Sequence, residues 1–136
     1  MGSIHPNPEK LQAFLAGMAD DTPITMLNLL KYREEAAYPD DFDAEPCSGV
    51  EAYQTYSAAA GQHVAAIGGK LLWMGAVQAS LIAPEGEEWD AALLVQYPSK
   101  QALAQMLASP DYQQLTVHRT AALADSRLIA TVGRMS

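Results

Sequence analysis

Asn28, Tyr53, Tyr56, His63 and Arg119 are the side chains of this sequence whose types and spacing could do chemistry. Asn28 interrupts the apolar run "ITMLNLL", and a buried amide must be satisfied by hydrogen bonds, either to the fold or to a ligand. It therefore lines a pocket or fixes the adjacent loop. Tyr53 and Tyr56 lie one helical turn apart. Their phenols could bind carbonyls, carboxylates or water, or pack as core with the hydroxyls at the surface. His63 flanks the same face, where an imidazole could transfer a proton or sit half-exposed and inert. Arg119 carries a rigid donor fork suited to a substrate carboxylate, with a salt bridge to an acidic side chain as the structural alternative.

Other reactive types point elsewhere. His118 adjoins Arg119, and His5 falls in a terminal segment. Trp73 and Trp89 read as core or interface, and Tyr112 as packing at a helix start. Cys47 lies in an acidic stretch that disfavours a thiolate nucleophile. The chain has no phosphate loop, HExxH motif or Ser-His-Asp order. Its three histidines are far apart, without ligand-like neighbours at helical spacing, so neither a metal nor a cofactor is expected. Haem, for which one histidine suffices, stays open.

These residues must be positioned by a chain of 136 residues, 49% hydrophobic, enough for a sizeable core. Eight Lys plus Arg against sixteen Asp plus Glu give a net charge of -8, a poor match for a phosphate backbone. Nucleic-acid binding is therefore not expected. The start "MGSIHPNPEK" lacks a basic, then apolar, leader, and no apolar run approaches a membrane span. With a single cysteine, the expectation is a cytoplasmic protein without a membrane partner.

Asn7 to Asp20 reads as a short helix capped by Asn7 with Pro8 at its first position. Ile24 to Lys31 reads as a strand, with Asn28 on the side of Ile24, Met26 and Leu30. The acidic, Pro-containing stretch from Arg33 to Gly49 reads as a long loop and a candidate lid. Val50 to Ile67 is the clearest helix, closed by Gly68 and Gly69. Strands are predicted over Lys70 to Leu81 and Trp89 to Tyr97, with "APEGEE" between them. A helix from Ser99 to Ala108, a second piece capped by Ser109 and running to about Ala124, and a strand from Asp125 to Val132 complete the chain. The order β-α-β-β-α-β is that of the ferredoxin-like fold, an α+β class, preceded by an extra N-terminal helix. Residues 1–22 are read as that extension and 23–136 as the domain. Leu71, Trp73, Val77 and Leu81 on one side of a strand, with Leu72, Met74 and Ala76 on the other, make both sheet faces apolar. A homodimer through the open sheet face is the expected cover.

The segments "MLNLLKY", "YQTYSAAAGQHVAAIGGKLLWMG" and "EWDAALLVQYPSKQALAQMLASPDYQQL", followed by Arg119, resemble the DUF1330 family over about Thr25 to Val132. The resemblance implies a dimeric α/β barrel, in which two ferredoxin-like units pack their sheets together. Asn28, Tyr53, Tyr56 and Arg119 match positions of the family pattern. Relatives in the wider superfamily include cofactor-independent monooxygenases, muconolactone isomerases, haem-degrading enzymes and chlorite dismutases, but fold alone cannot choose among them. The expectation is a small-molecule enzyme of monooxygenase or isomerase type, acting on a carboxylate- or carbonyl-bearing substrate in a cleft between sheet and helices. In it His63, Arg119 and Tyr53 would be catalytic, and Asn28 and Tyr56 would bind the ligand. The alternative is a non-catalytic module for a small ligand or a protein partner.

Overall fold

The computed structural model describes residues 2–133, so the expected domain beyond Gly133 lies outside the described residues. Eight elements follow in order: α1 (Pro8–Gly17), β1 (Ile24–Tyr32), α2 (Gly49–Ala66), β2 (Lys70–Ala76), β3 (Ala91–Tyr97), α3 (Lys100–Ala108), α4 (Pro110–Ala122) and β4 (Leu123–Thr131). The helix starts obey local chemistry. The Asn7 side chain accepts the Lys10 amide at 3.0 Å, and Pro8 opens α1. Ser48 and Glu51 form a reciprocal capping box on α2. Ser109 both closes α3 and caps α4.

The strands form one antiparallel sheet in the order β2-β3-β1-β4. This is the expected α+β ferredoxin-like topology with added helices, but the barrel expectation is corrected. The sheet is open and uncurled, with β2 and β4 as its edges, and does not close into an α/β barrel. Closure needs strand tilt and stagger that carry one edge round to the other. Here each edge strand pairs on one side only, among the described residues.

The register sorts the side chains. Ile24, Met26 and Leu30 of β1 face the helices, in two core clusters. The first adds Ala60, Tyr97, Leu103, Met106 and Tyr112, with Phe14, Leu15 and Met18 of α1 packed against it. The second adds Ala52, Tyr53, Ala91, Leu93, Ala122 and Leu123. On the opposite face, cross-strand pairing lines up Trp73, Leu94, Leu27 and Ile129, an apolar row crossing all four strands. Among the described residues no helix covers it; Trp73 is 54% exposed and Ile129 46%.

Two local expectations are also revised. A register shift between Leu71 and Trp73 puts Leu71 opposite Val95, on the helix side, and Trp73 opposite Leu94, on the open side. Strand β2 ends at Ala76, so Val77 to Leu81 are not strand, and Leu81 and Ile82 stand almost fully exposed in the β2–β3 connection. The candidate lid is tied down rather than loose. Arg33 and Ala37 donate backbone hydrogen bonds to Ala122 and Ala121, both at 2.8 Å. The Tyr38 hydroxyl meets His118 Nδ1 at 2.6 Å, and Phe42 stacks on Tyr38.

A polar seam between the two core clusters

Helix α2 lies close to the sheet because its inward residues Ala52 and Ala60 are small and buried. Its first residue, Gly49, is wedged between the ends of two other elements. A Cβ there would collide with the carbonyl oxygens of Arg33 and Ala122. This tight entry aims Tyr53 and Tyr56 inward, where Tyr56 contacts both core clusters.

An aromatic row results. Ring centroids lie 5.7 Å apart for Tyr32 and Tyr53, 5.4 Å for Tyr53 and Tyr56, and 6.3 Å for Tyr56 and Tyr112. His63 ends the row 6.1 Å from Tyr112. The hydroxyls of Tyr56 and Tyr112 share a hydrogen bond of 2.7 Å. Burial, partly opposed by the Arg119 cation, pushes the Tyr53 phenol up to about 12. Burial and the neighbouring Tyr112 hold Tyr56 well above the usual phenol range, and burial does the same to Tyr97. All three are therefore neutral hydroxyls at physiological pH, fit to donate hydrogen bonds rather than to accept a proton as phenolates.

Arg119 projects from α4 toward this row. Its Nη1 donates to the Ile4 carbonyl at 2.6 Å, and its Nη2 makes a long contact, 3.5 Å, to Ser126 Oγ. No carboxylate pairs with it among the described residues, although the chain has sixteen acidic side chains. The salt-bridge alternative is thus absent from the described residues, and a partly buried cation retains donors beyond these two.

Asn28 faces the helices, between Met26 and Leu30 and across from Leu93 and Leu128. Met74, Leu93, Asn28 and Leu128 form one cross-strand row in which Asn28 alone is polar. Among the described residues its Nδ2 reaches only the Met26 carbonyl, at 3.5 Å. The fold therefore gathers Arg119, Tyr53 and Tyr56, places Asn28 on the same side of the sheet, and leaves His63 at the far end beyond Tyr112. Tyr112, read only as packing at a helix start, belongs to the row as well; its position three residues after the cap Ser109 was the available clue. Ile4 and Ser126 carried no local signal.

A groove of about 450 Å³ between α2 and β2 reaches Tyr53, with Tyr32, Val50, Gln54 and Met74 in its walls. A larger one, about 700 Å³, runs along the outer side of α4 beside Phe42 and His118, away from Arg119. No group of three or more His, Cys, Asp or Glu side chains placed to hold a metal ion occurs among the described residues.

The family model described as "Domain of unknown function (DUF1330)" matches residues 48–132. The matched segment starts at α2, later than Thr25, so Asn28 lies outside it. The structure of the RPA0582 protein of unknown function from Rhodopseudomonas palustris is similar at 38% identity and a TM-score of 0.90, covering 100% of both chains. Its methylated form gives the same identity and TM-score over 98% of this chain and 96% of that one. A dimeric protein of unknown function and ferredoxin-like fold from Bacteroides fragilis shares the fold at 14% identity, with a TM-score of 0.52 over 85% of this chain and 100% of that one. No curated protein matches the chain.

Proposed function

The chain belongs to the DUF1330 family, and we propose that it binds a small carboxylate- or carbonyl-bearing molecule between sheet and helices. One observation carries this reading: the Arg119 guanidinium, in a chain of net charge -8, lies near neutral phenols and, among the described residues, pairs with no carboxylate. A planar donor fork with free N–H groups favours a planar anion, and protonated Tyr53 and Tyr56 add hydrogen-bond donors beside it. Asn28 supplies an amide to orient a carbonyl. Benzoate titrated calorimetrically into the protein is the direct test. Binding is expected in the parent and lost in Arg119→Met. Equal binding in both proteins would remove Arg119 from the site.

The enzymatic form of this reading is proton transfer of isomerase type. A C–H bond beside the carbonyl breaks, the proton passes to the His63 imidazole, and the electron pair moves onto the oxygen held by Arg119 and the phenols. In a β,γ-unsaturated substrate the resulting dienolate takes the proton back from the imidazole, where it exchanges with solvent, at its γ-carbon, and the C=C bond moves into conjugation with the carbonyl. Deuterium from solvent should enter the carbon next to the keto group of a bound α-keto acid, its β-carbon, more slowly in His63→Gln. The 6.1 Å separation of His63 from Tyr112 favours the second reading, a binding module without turnover. Under it, His63→Gln changes neither binding nor exchange.

A second copy of the chain is the proposed cover for the open sheet face. The row Trp73, Leu94, Leu27 and Ile129 is apolar from edge to edge, and stacked sheets bury such rows at a spacing of about 10 Å. The Bacteroides fragilis protein of the same fold is described as dimeric, which agrees with this reading.

A further inference from the structure

The segment before α1 does not trail away from the domain. The Ser3 amide donates to Asp125 Oδ1 at 2.8 Å, and the Ser3 carbonyl accepts from Ser126 Oγ at 2.5 Å. The Ile4 side chain packs against the core cluster that contains Tyr53, and its carbonyl accepts from Arg119. At Gly2 the backbone lies so near the Ala124 carbonyl that a Cβ would overlap it. Beyond this anchorage, His5, Pro6 and Asn7 are exposed and lead into α1. Three polar contacts and one apolar side chain thus hold a short arm over the one cation of the seam.

We infer that residues 2–6 are a displaceable arm whose Ile4 carbonyl keeps the place of a ligand oxygen on Arg119. The inference rests on Arg119 being the ligand anchor, and it concerns how that site is regulated. A peptide carbonyl is a neutral acceptor, whereas a carboxylate forms shorter, charge-assisted and bidentate bonds with the same fork. A carboxylate that reaches Arg119 therefore outcompetes the arm's carbonyl. The second anchor, Ser3 on Asp125 and Ser126, restores the arm when the site empties. While the closed state predominates, only the open fraction of molecules presents Arg119, and apparent affinity falls by that fraction.

Two substitutions loosen the arm without altering the seam's polar groups. Ser3→Pro removes the amide that donates to Asp125, and Ile4→Gly removes the apolar anchor. Benzoate is the probe, with the full chain in each case. The expected result is binding about tenfold tighter in either variant than in the parent, the closed fraction being released. Hydrogen exchange read by mass spectrometry should also show residues 2–6 exchanging faster when the parent is saturated with benzoate, the reverse of ordinary ligand protection. Equal affinity in parent and variants, with binding still lost in Arg119→Met and unchanged exchange in the arm, would overturn the arm and leave the site standing. No binding in the parent or in either loosened variant would overturn both.

Discussion

The hydroxyls of Tyr56 and Tyr112 meet at 2.7 Å across the space between α2 and α4. Each is the other's hydrogen-bond partner in a part-buried setting where water replaces neither easily. Tyr56→Phe and Tyr112→Phe should each destabilise the protein by about 1–2 kcal/mol, because each leaves one hydroxyl unpaired. The double variant should cost less than the sum. Urea unfolding of the four proteins measures the coupling, and strict additivity would contradict the pairing.

Charge on the open face should separate the copies. Leu27→Glu places a carboxylate in the middle of the row that links Trp73 to Ile129, far from the helices and their cores. The parent is expected to run as a dimer by light scattering at micromolar concentration, and the variant as a folded monomer. A monomeric parent would refute the face-to-face pairing.

Acid should release the arm. The Asp125 carboxyl is held below the usual carboxylate range, first by the Ser3 amide and then by the Ser126 amide and Arg127. The unfolded state therefore binds more protons between the two pKa values, and stability rises with pH through that interval. The contribution is fully present above the unfolded value of about 3.9 and disappears as pH falls through the lower, folded value. Melting temperatures of parent and Asp125→Asn should differ near neutrality and converge in acid. A difference independent of pH would show that Asp125 contributes nothing by its charge.

Two glycines of α2 should answer in opposite directions. Gly49→Ala forces a methyl group against the Arg33 and Ala122 carbonyls and should destabilise by about 1–3 kcal/mol. Gly61 has open space around the same position, so Gly61→Ala should stabilise the helix by about 0.5–1 kcal/mol. Thermal melts of the two variants, read against the parent, decide both.

Local chemistry made much of the fold legible. Asn7 before Pro8, Ser109 before Pro110 and the Gly68-Gly69 pair mark helix ends through rules that act within a few residues. Alternation placed Asn28 on the side of Met26 and Leu30 without saying which face of the sheet that is; packing against the helices decides it. Alternation failed in β2, because the register shift at Leu71 to Trp73 moves side chains across the sheet without changing residue type. Strand length failed there too: the last backbone link is Val77 to Asp90, after which Leu81 and Ile82 have no partner strand. Sheet curl was beyond the sequence as well, since apolar patterning says which face is buried and not how the strands coil. At the seam, residue type nominated Arg119, Tyr53 and Tyr56. The Ile4 carbonyl on Arg119 joins positions 115 residues apart through a backbone atom that every residue possesses.

The strand order has a consequence for synthesis. Strand β1 leaves the ribosome early, yet it is one of the two central strands and needs neighbours on both sides, β3 and β4. Thr25 receives its hydrogen bond from Thr131, 106 residues later. Until then a nascent β1 offers an unpaired apolar edge, the kind of template on which strangers assemble. Only the neighbouring pair β2 and β3 can zip promptly as a hairpin, and closure of the remainder is expected to be slow. A mutation that delays β4 should thus show first as lost yield of soluble protein, before any change in the stability of the molecules that finish.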